Sequence, residues 1–137
     1  MSFVLDSSVA LAWALPDESN PILDPLADRL STELVVAPPV WPLEIGNVLL
    51  VAVRRGRLTV RDMSRLVREF RALPVEIDDA STEESLNDTL SLAKKYDLTT
   101  YDASYLELAK RRDMPLATLD SKLRKTCLSA KVLVLPT

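Results

Sequence analysis

Short apolar runs alternate with helix-period stretches along the whole chain, and this alternation constrains the fold more than any other feature. The runs at 2–5, 34–37, 75–77, 116–119 and 132–135 are brief and almost wholly apolar, the mark of strands buried on both faces. Helices are expected between them at 7–15, 21–30, 41–55, 59–73, 81–96, 100–112 and 121–128. Ser7 or Ser8 suits the first N-cap and Pro16 stops that helix. Gly56 suits the residue after the third helix. Thr59 with Asp62, and Ser81 with Glu84, form capping boxes. Met63, Leu66, Val67, Phe70 and Leu73 share one helix face. Short strands alternating with helices through the whole chain imply an α/β fold: a three-layer sandwich around a central, mostly parallel sheet. No repeat, linker or low-complexity tract interrupts the 137 residues, so 1–137 reads as a single domain.

What the chain lacks narrows its chemistry. It has no histidine, which excludes Ser-His-Asp triads, histidine general bases and histidine-ligated metals. Cys127 is its one cysteine, which excludes internal disulfides and zinc knuckles. Gly46 and Gly56 are its two glycines, which excludes the glycine-rich phosphate loops. The longest apolar run without proline is seven residues, at 9–15, far short of a membrane span. No base precedes Arg29 and Asp6 interrupts the first apolar stretch, so a secretory signal is not expected and the protein reads as cytoplasmic. What remains for hard chemistry is carboxylates, hydroxyls, Lys and Arg, a set suited to a hard divalent cation.

Four acids stand where such chemistry gathers. Ligands in open α/β sheets bind at the carboxyl ends of the strands, and Asp6 and Asp120 each follow a strand. Asp102 falls in the first turn of a helix. Glu44 lies early in another helix among Trp41, Leu43, Ile45 and Val48, an apolar setting that is costly for an unpaired carboxylate. If the four meet, two charges about 4 Å apart repel by roughly 4 kcal/mol even at an effective dielectric of 20. Either protons or a cation must relieve that, and all-oxygen ligation suits Mg²⁺ or Mn²⁺. Each acid also has a plainer role open to it: Asp6, Asp102 and Asp120 as helix caps or first-turn acids, Glu44 as the partner of an arginine such as Arg54 or Arg57.

The run Val4-Leu5-Asp6-Ser7-Ser8-Val9 resembles the first motif of the PIN-domain ribonucleases. The stretches from Pro39 to Leu49 around Glu44, from Leu98 to Leu106 around Asp102, and from Leu116 to Leu123 around Asp120 resemble the later motifs, in the family's order. The length resembles the VapC-type toxin branch. The resemblance implies a PIN-like fold and a Mg²⁺- or Mn²⁺-dependent endoribonuclease, with water attacking RNA phosphorus in line to leave 5′-phosphate and 3′-hydroxyl ends. Asp6, Glu44, Asp102 and Asp120 would take the acidic catalytic and metal-binding positions, with Ser7, Ser8 and Thr118 as hydroxyls that orient the carboxylates. A small antitoxin partner and a homodimer are implied in the same way.

The net charge of −3 gives no general case for nucleic-acid binding, but it is unevenly spread. Seven arginines fall between Arg54 and Arg71, against Asp62 and Glu69, and six acids fall between Glu76 and Asp88. Arg61, Arg65 and Arg68 lie opposite the apolar face of their helix, which suits a solvated surface and would also suit tracking RNA phosphates. Trp13 and Trp41 read as core, and Cys127 as a small buried apolar residue. Asn47, one turn from Glu44, fits either a supporting amide or an ordinary polar position. Two alternative functions differ in kind: a non-catalytic PIN-like module binding RNA or protein, and a phosphoaspartyl phosphatase or receiver with Asp78-Asp79 after a strand and Lys122 or Lys131 late in the chain.

Overall fold

The fold is taken from a computed structural model, which describes residues 1–79 and 83–137. Its strands are β1 (Ser2–Leu5), β2 (Leu34–Ala37), β3 (Val75–Ile77), β4 (Leu116–Ala117) and β5 (Val134–Leu135). Its helices are α1 (Ser7–Ala14), α2 (Asp24–Arg29), α3 (Val40–Arg54), α4 (Val60–Ala72), α5 (Glu83–Tyr96), α6 (Thr100–Arg111) and α7 (Ser121–Ser129). The strands form one sheet in the order β3-β2-β1-β4-β5, and every pairing is parallel. From β1 the chain winds outward to β2 and β3, then returns past β1 to β4 and β5. Right-handed crossovers therefore place α1 to α4 on one face and α5 to α7 on the other. In keeping with this, α1 packs on α3, α3 on α4, and α5 on α6. The core runs through the central strands, where Phe3, Val4, Leu5, Val36, Leu116 and Ala117 have no solvent exposure.

Several local expectations hold in detail. Thr59 and Asp62 close a reciprocal capping box at the start of α4, and Gly56 takes a φ of 73° after α3, a conformation open to glycine at little cost. Others change for identifiable reasons. The helix expected at 21–30 is a 3-10 turn, Pro21–Leu23, followed by α2. Pro25 has no amide proton for the carbonyl four residues back, so one continuous helix is not available. Asp6, rather than Ser7 or Ser8, occupies the N-cap position of α1. The strand expected at 116–119 ends at Ala117, where Thr118 turns its side chain toward Asp6. The strand expected at 132–135 begins at Val134, because the Val132 amide bonds the Cys127 carbonyl and closes α7 instead. Val67 is exposed rather than part of the buried face of α4. The capping box expected at Ser81 lies outside the described residues.

Gly46 sits inside α3, and a Cβ added there would meet nothing within 4 Å. Gly46→Ala is therefore expected to stabilise the protein by about 0.5–1 kcal/mol, through helix propensity alone. Urea denaturation at neutral pH checks this; a loss of stability would mean that the position needs glycine for a close approach.

Candidate active site

The strand order reverses between β1 and β4, and in an open parallel sheet the crevice beyond the carboxyl ends at that reversal is where ligands bind. The chain places its acids there. Asp6 follows β1, and Asp120 lies three residues beyond β4. Glu44 comes from the second turn of α3 and Asp102 from the first turn of α6. With Ser7, Ser8, Leu11, Ala12, Glu18, Val48 and Leu119, these four line a cleft of about 520 Å³. Residues 6, 44, 102 and 120 are thus brought together from four separate parts of the chain.

Asp6 is 5% exposed. Although it holds the N-cap position of α1, its carboxylate makes no capping hydrogen bond. Oδ2 accepts instead from the Ser8 hydroxyl at 2.5 Å and the Thr118 hydroxyl at 2.8 Å. These hydroxyls are themselves fixed, because the Leu119 amide donates to Ser8 Oγ and the Asp120 amide to Thr118 Oγ1. Arg124 of α7 holds the Thr118 carbonyl at 2.8 Å. Ser8 and Thr118 therefore orient Asp6, while Ser7 donates to Glu44 Oε1 at 3.3 Å. Asp120 does what a helix cap does, accepting from the Leu123 amide at 2.8 Å, and also lines the cleft. Asp102 does not cap α6; the Thr99 hydroxyl fills that role by accepting from the Asp102 amide, so the Asp102 carboxylate remains available.

The electrostatics are one-sided. Burial pushes the Asp6 carboxyl above its ordinary range, the hydroxyls of Ser8 and Thr118 and the nearby Ser8 amide pull it back, and Asp120 adds to the rise. Burial likewise raises Glu44; the Tyr105 hydroxyl and Ser7 oppose this, and the charges of Asp6 and Asp102 add to it. Asp102 is raised by burial and then by Asp120 and Asp6, against the nearby Lys122. Among the described residues, none of the four acids is in an ion pair. A buried Asp6, half-buried Glu44 and Asp102 and an exposed Asp120, gathered in one cleft and outside any ion pair among the described residues, mark a site suited to positive charge. Among the described residues no three of these groups stand close enough to enclose a metal ion as they are placed. The donor set, oxygen throughout and open to water, still fits Mg²⁺ or Mn²⁺, since Mg²⁺ keeps several waters and needs one or two carboxylates.

Other expected groups lie elsewhere. Arg61, Arg65 and Arg68 are exposed on α4 and do not line the cleft. Arg65 is engaged on its own helix with Glu69 and Asp62, as on a solvated face. Asn47 is exposed and outside the cleft. Trp41 is buried edge-on against Phe70, and Cys127 is buried with its thiol pushed up to about 11 by desolvation, so it stays protonated and inert. Asp78 follows β3, at the edge of the sheet, and is bonded by Arg111; this is no phosphoacceptor position. A larger hollow of about 630 Å³ between α5 and α6 also holds acids, but Lys110 and Arg111 stand among them. Two cleft features went unseen in the sequence. Glu18 comes from a 3-10 turn, Pro16–Glu18, with no pattern to announce it. Tyr105 is signalled only by its place one turn after Asp102.

Comparison with known proteins identifies relatives of this chain and of its fold. A family model described as the PIN domain matches residues 3–128. Ribonuclease VapC3 of Pyrobaculum aerophilum is 33% identical over 130 residues, covering 90% of this chain and 92% of that protein. The crystal structure of PAE2754 from Pyrobaculum aerophilum matches 98% of this chain and 84% of its own, with a TM-score of 0.71 and 23% identity. A toxin-antitoxin complex from Klebsiella pneumoniae matches 88% of each chain, with a TM-score of 0.61 and 13% identity. The two structural matches are likenesses of fold.

Proposed function

The chain belongs to the PIN-domain family, and from that membership we propose that it is an endoribonuclease, the toxin of a toxin–antitoxin pair, dependent on Mg²⁺ or Mn²⁺. The observation that carries the reading is the convergence of Asp6, Glu44, Asp102 and Asp120 on one cleft, with none of them in an ion pair among the described residues. The ribonuclease named among its relatives supports the substrate class, and the toxin-antitoxin complex among its structural neighbours supports the antitoxin partner.

Asp6 and Asp102 would be the principal metal ligands, with Glu44 and Asp120 completing the site directly or through water. When bound, the cation supplies an acidified water and neutralises charge developing on the phosphate. The protein's own residues do the positioning. Ser8 and Thr118 hold the Asp6 carboxylate in one orientation, and Ser7 and Tyr105 hold Glu44. Leu11, Ala12, Val48 and Leu119 form an apolar wall, which lowers the local dielectric and strengthens each charge interaction. Arg61 and Arg68 on α4 remain available to meet phosphates at a distance from the cleft, whereas Arg65 is spent on its neighbours. A homodimer and action in the cytoplasm belong to the same proposal. No described helix is long and apolar enough to cross a membrane.

Cleavage of a mixed RNA substrate by the purified protein tests it, run with Mg²⁺, with Mn²⁺ and with chelator. The expected result is cutting with either metal, loss of cutting in chelator, and products bearing 5′-phosphate and 3′-hydroxyl ends. Cutting that survives chelation, or ends carrying a 2′,3′-cyclic phosphate, would overturn the metal-dependent reading. Mn²⁺ binding without cutting of any RNA would favour a module that binds but does not cleave.

A further inference from the structure

We propose that Tyr105 is a positioning residue of the cleft, whose phenol locks one oxygen of Glu44 so that the other is kept for the metal. The proposal rests on the metal-site reading above. Tyr105 lies one helical turn after Asp102 on α6, and side chains three residues apart share a helix face. It has no solvent exposure. Its hydroxyl crosses to α3 and donates to Glu44 Oε1 at 2.5 Å. Ser7, at the start of α1, donates to that same oxygen at 3.3 Å. Among the described residues nothing donates to Oε2. A glutamate left alone has three rotatable bonds and no reason to hold one arrangement. Here two donors from two helices converge on a single oxygen. Any swing of Glu44 out of the cleft would leave a buried phenol hydroxyl without that acceptor, an expensive arrangement. One helix therefore supplies both an acid of the cleft and the clamp for a second acid on another helix. In this role Tyr105 resembles the outer partners that orient metal ligands in general.

The test is Tyr105→Phe, which keeps the ring and removes only the donor. Mn²⁺ binding to the RNA-free protein is titrated by electron paramagnetic resonance of free Mn²⁺, beside RNA cleavage kinetics and melting of the metal-free protein. Glu44→Gln and the double variant run in parallel. The expected result is a Mn²⁺ dissociation constant raised about tenfold and kcat lowered about 10- to 100-fold, with KM within about threefold of the parent. On the Glu44→Gln background the same change should cost less than about twofold, because the residue acts through Glu44. Ser7→Ala, which removes the longer bond to Oε1, should shift Mn²⁺ affinity in the same direction by less, and gives a second reading should Tyr105→Phe fail to fold. An unchanged Mn²⁺ affinity in Tyr105→Phe while Glu44→Gln weakens it would overturn the proposal. So would an effect of equal size with and without Glu44. A parent protein that binds no Mn²⁺ would overturn the metal reading itself.

Discussion

Asp6→Asn is expected to lower RNA cleavage by at least about a thousandfold while leaving the metal-free protein as stable as the parent or more so. The substitution keeps the shape of the side chain, and an amide oxygen still accepts from Ser8 and Thr118, so the junction between β1 and α1 is preserved. What is lost is a negative charge at the best buried of the four acids. That charge works against folding. Burial raises the Asp6 carboxyl above its ordinary range, so the folded state holds it ionised less readily than the unfolded chain does. For an acid shifted upward, stability falls as pH rises through the window between its unfolded and folded values, and the deficit persists at neutral pH. Removing the charge removes the deficit. Asp102→Asn is expected to follow the same pattern. The checks are cleavage rates with Mn²⁺ and melting in chelator. A folded Asp6→Asn protein with parental activity would sink the assignment of the site, and a variant that melts well below the parent would mean the carboxylate is structural.

Arg111→Ala is expected to produce a large loss of stability, about 2–3 kcal/mol by urea denaturation, with the acidic cleft intact. Its guanidinium donates to Glu107 on its own helix and to Asp78 beyond β3, at 2.7 Å in each case. Those two acids are 6% and 8% exposed. Removing the arginine takes from Glu107 both of its side-chain bonds among the described residues and leaves its charge in a buried place, which is where breaking an ion pair is expensive. The Arg111 side chain is itself one-third exposed, so the loss should fall below that of a fully buried pair. Glu107→Gln on the Arg111→Ala background should recover part of it, since an amide is cheaper to bury than a carboxylate. A loss under about 1 kcal/mol would mean the network behaves as a surface ion pair.

This network shows where sequence reading stops. Arg111 and Arg112 end a helix, and their favourable place at its negative pole is all the local sequence offers. The acid-rich stretch beginning at Glu76 looks like a separate feature. Folded, the two are one: Arg112 meets Glu76 and Arg111 meets Asp78, because β3 at the sheet edge runs beside the end of α6. The cleft divides in the same way. The acids were legible because strand ends and helix starts collect functional groups and because their residue types leave few alternatives. Tyr105 was not, since a buried tyrosine on a helix is ordinary until its hydroxyl is seen to reach another helix. The plainer roles of the acids were also decided in space. Asp120 caps α7, Asp102 leaves its cap to Thr99, and Asp6 stands in the cap position while its carboxylate serves Ser8 and Thr118.

The sequence by itself determined the alternation of buried strands and amphipathic helices, the acidic quartet, and the exclusion of histidine, disulfide and phosphate-loop chemistry. Those properties are local or compositional: periodicity, capping residues and missing side chains act within a few residues of themselves. The tertiary structure decided the order of the strands and therefore which carboxylates meet. The reversal between β1 and β4 brings residues 6 and 120 to one crevice, and the opening turns of α3 and α6 add Glu44, Asp102 and, through its bond to Glu44, the phenol of Tyr105. Contacts between residues 37 to 112 positions apart, from Ser7 with Glu44 to Asp6 with Thr118, depend on the path of the whole chain, and no local pattern encodes them.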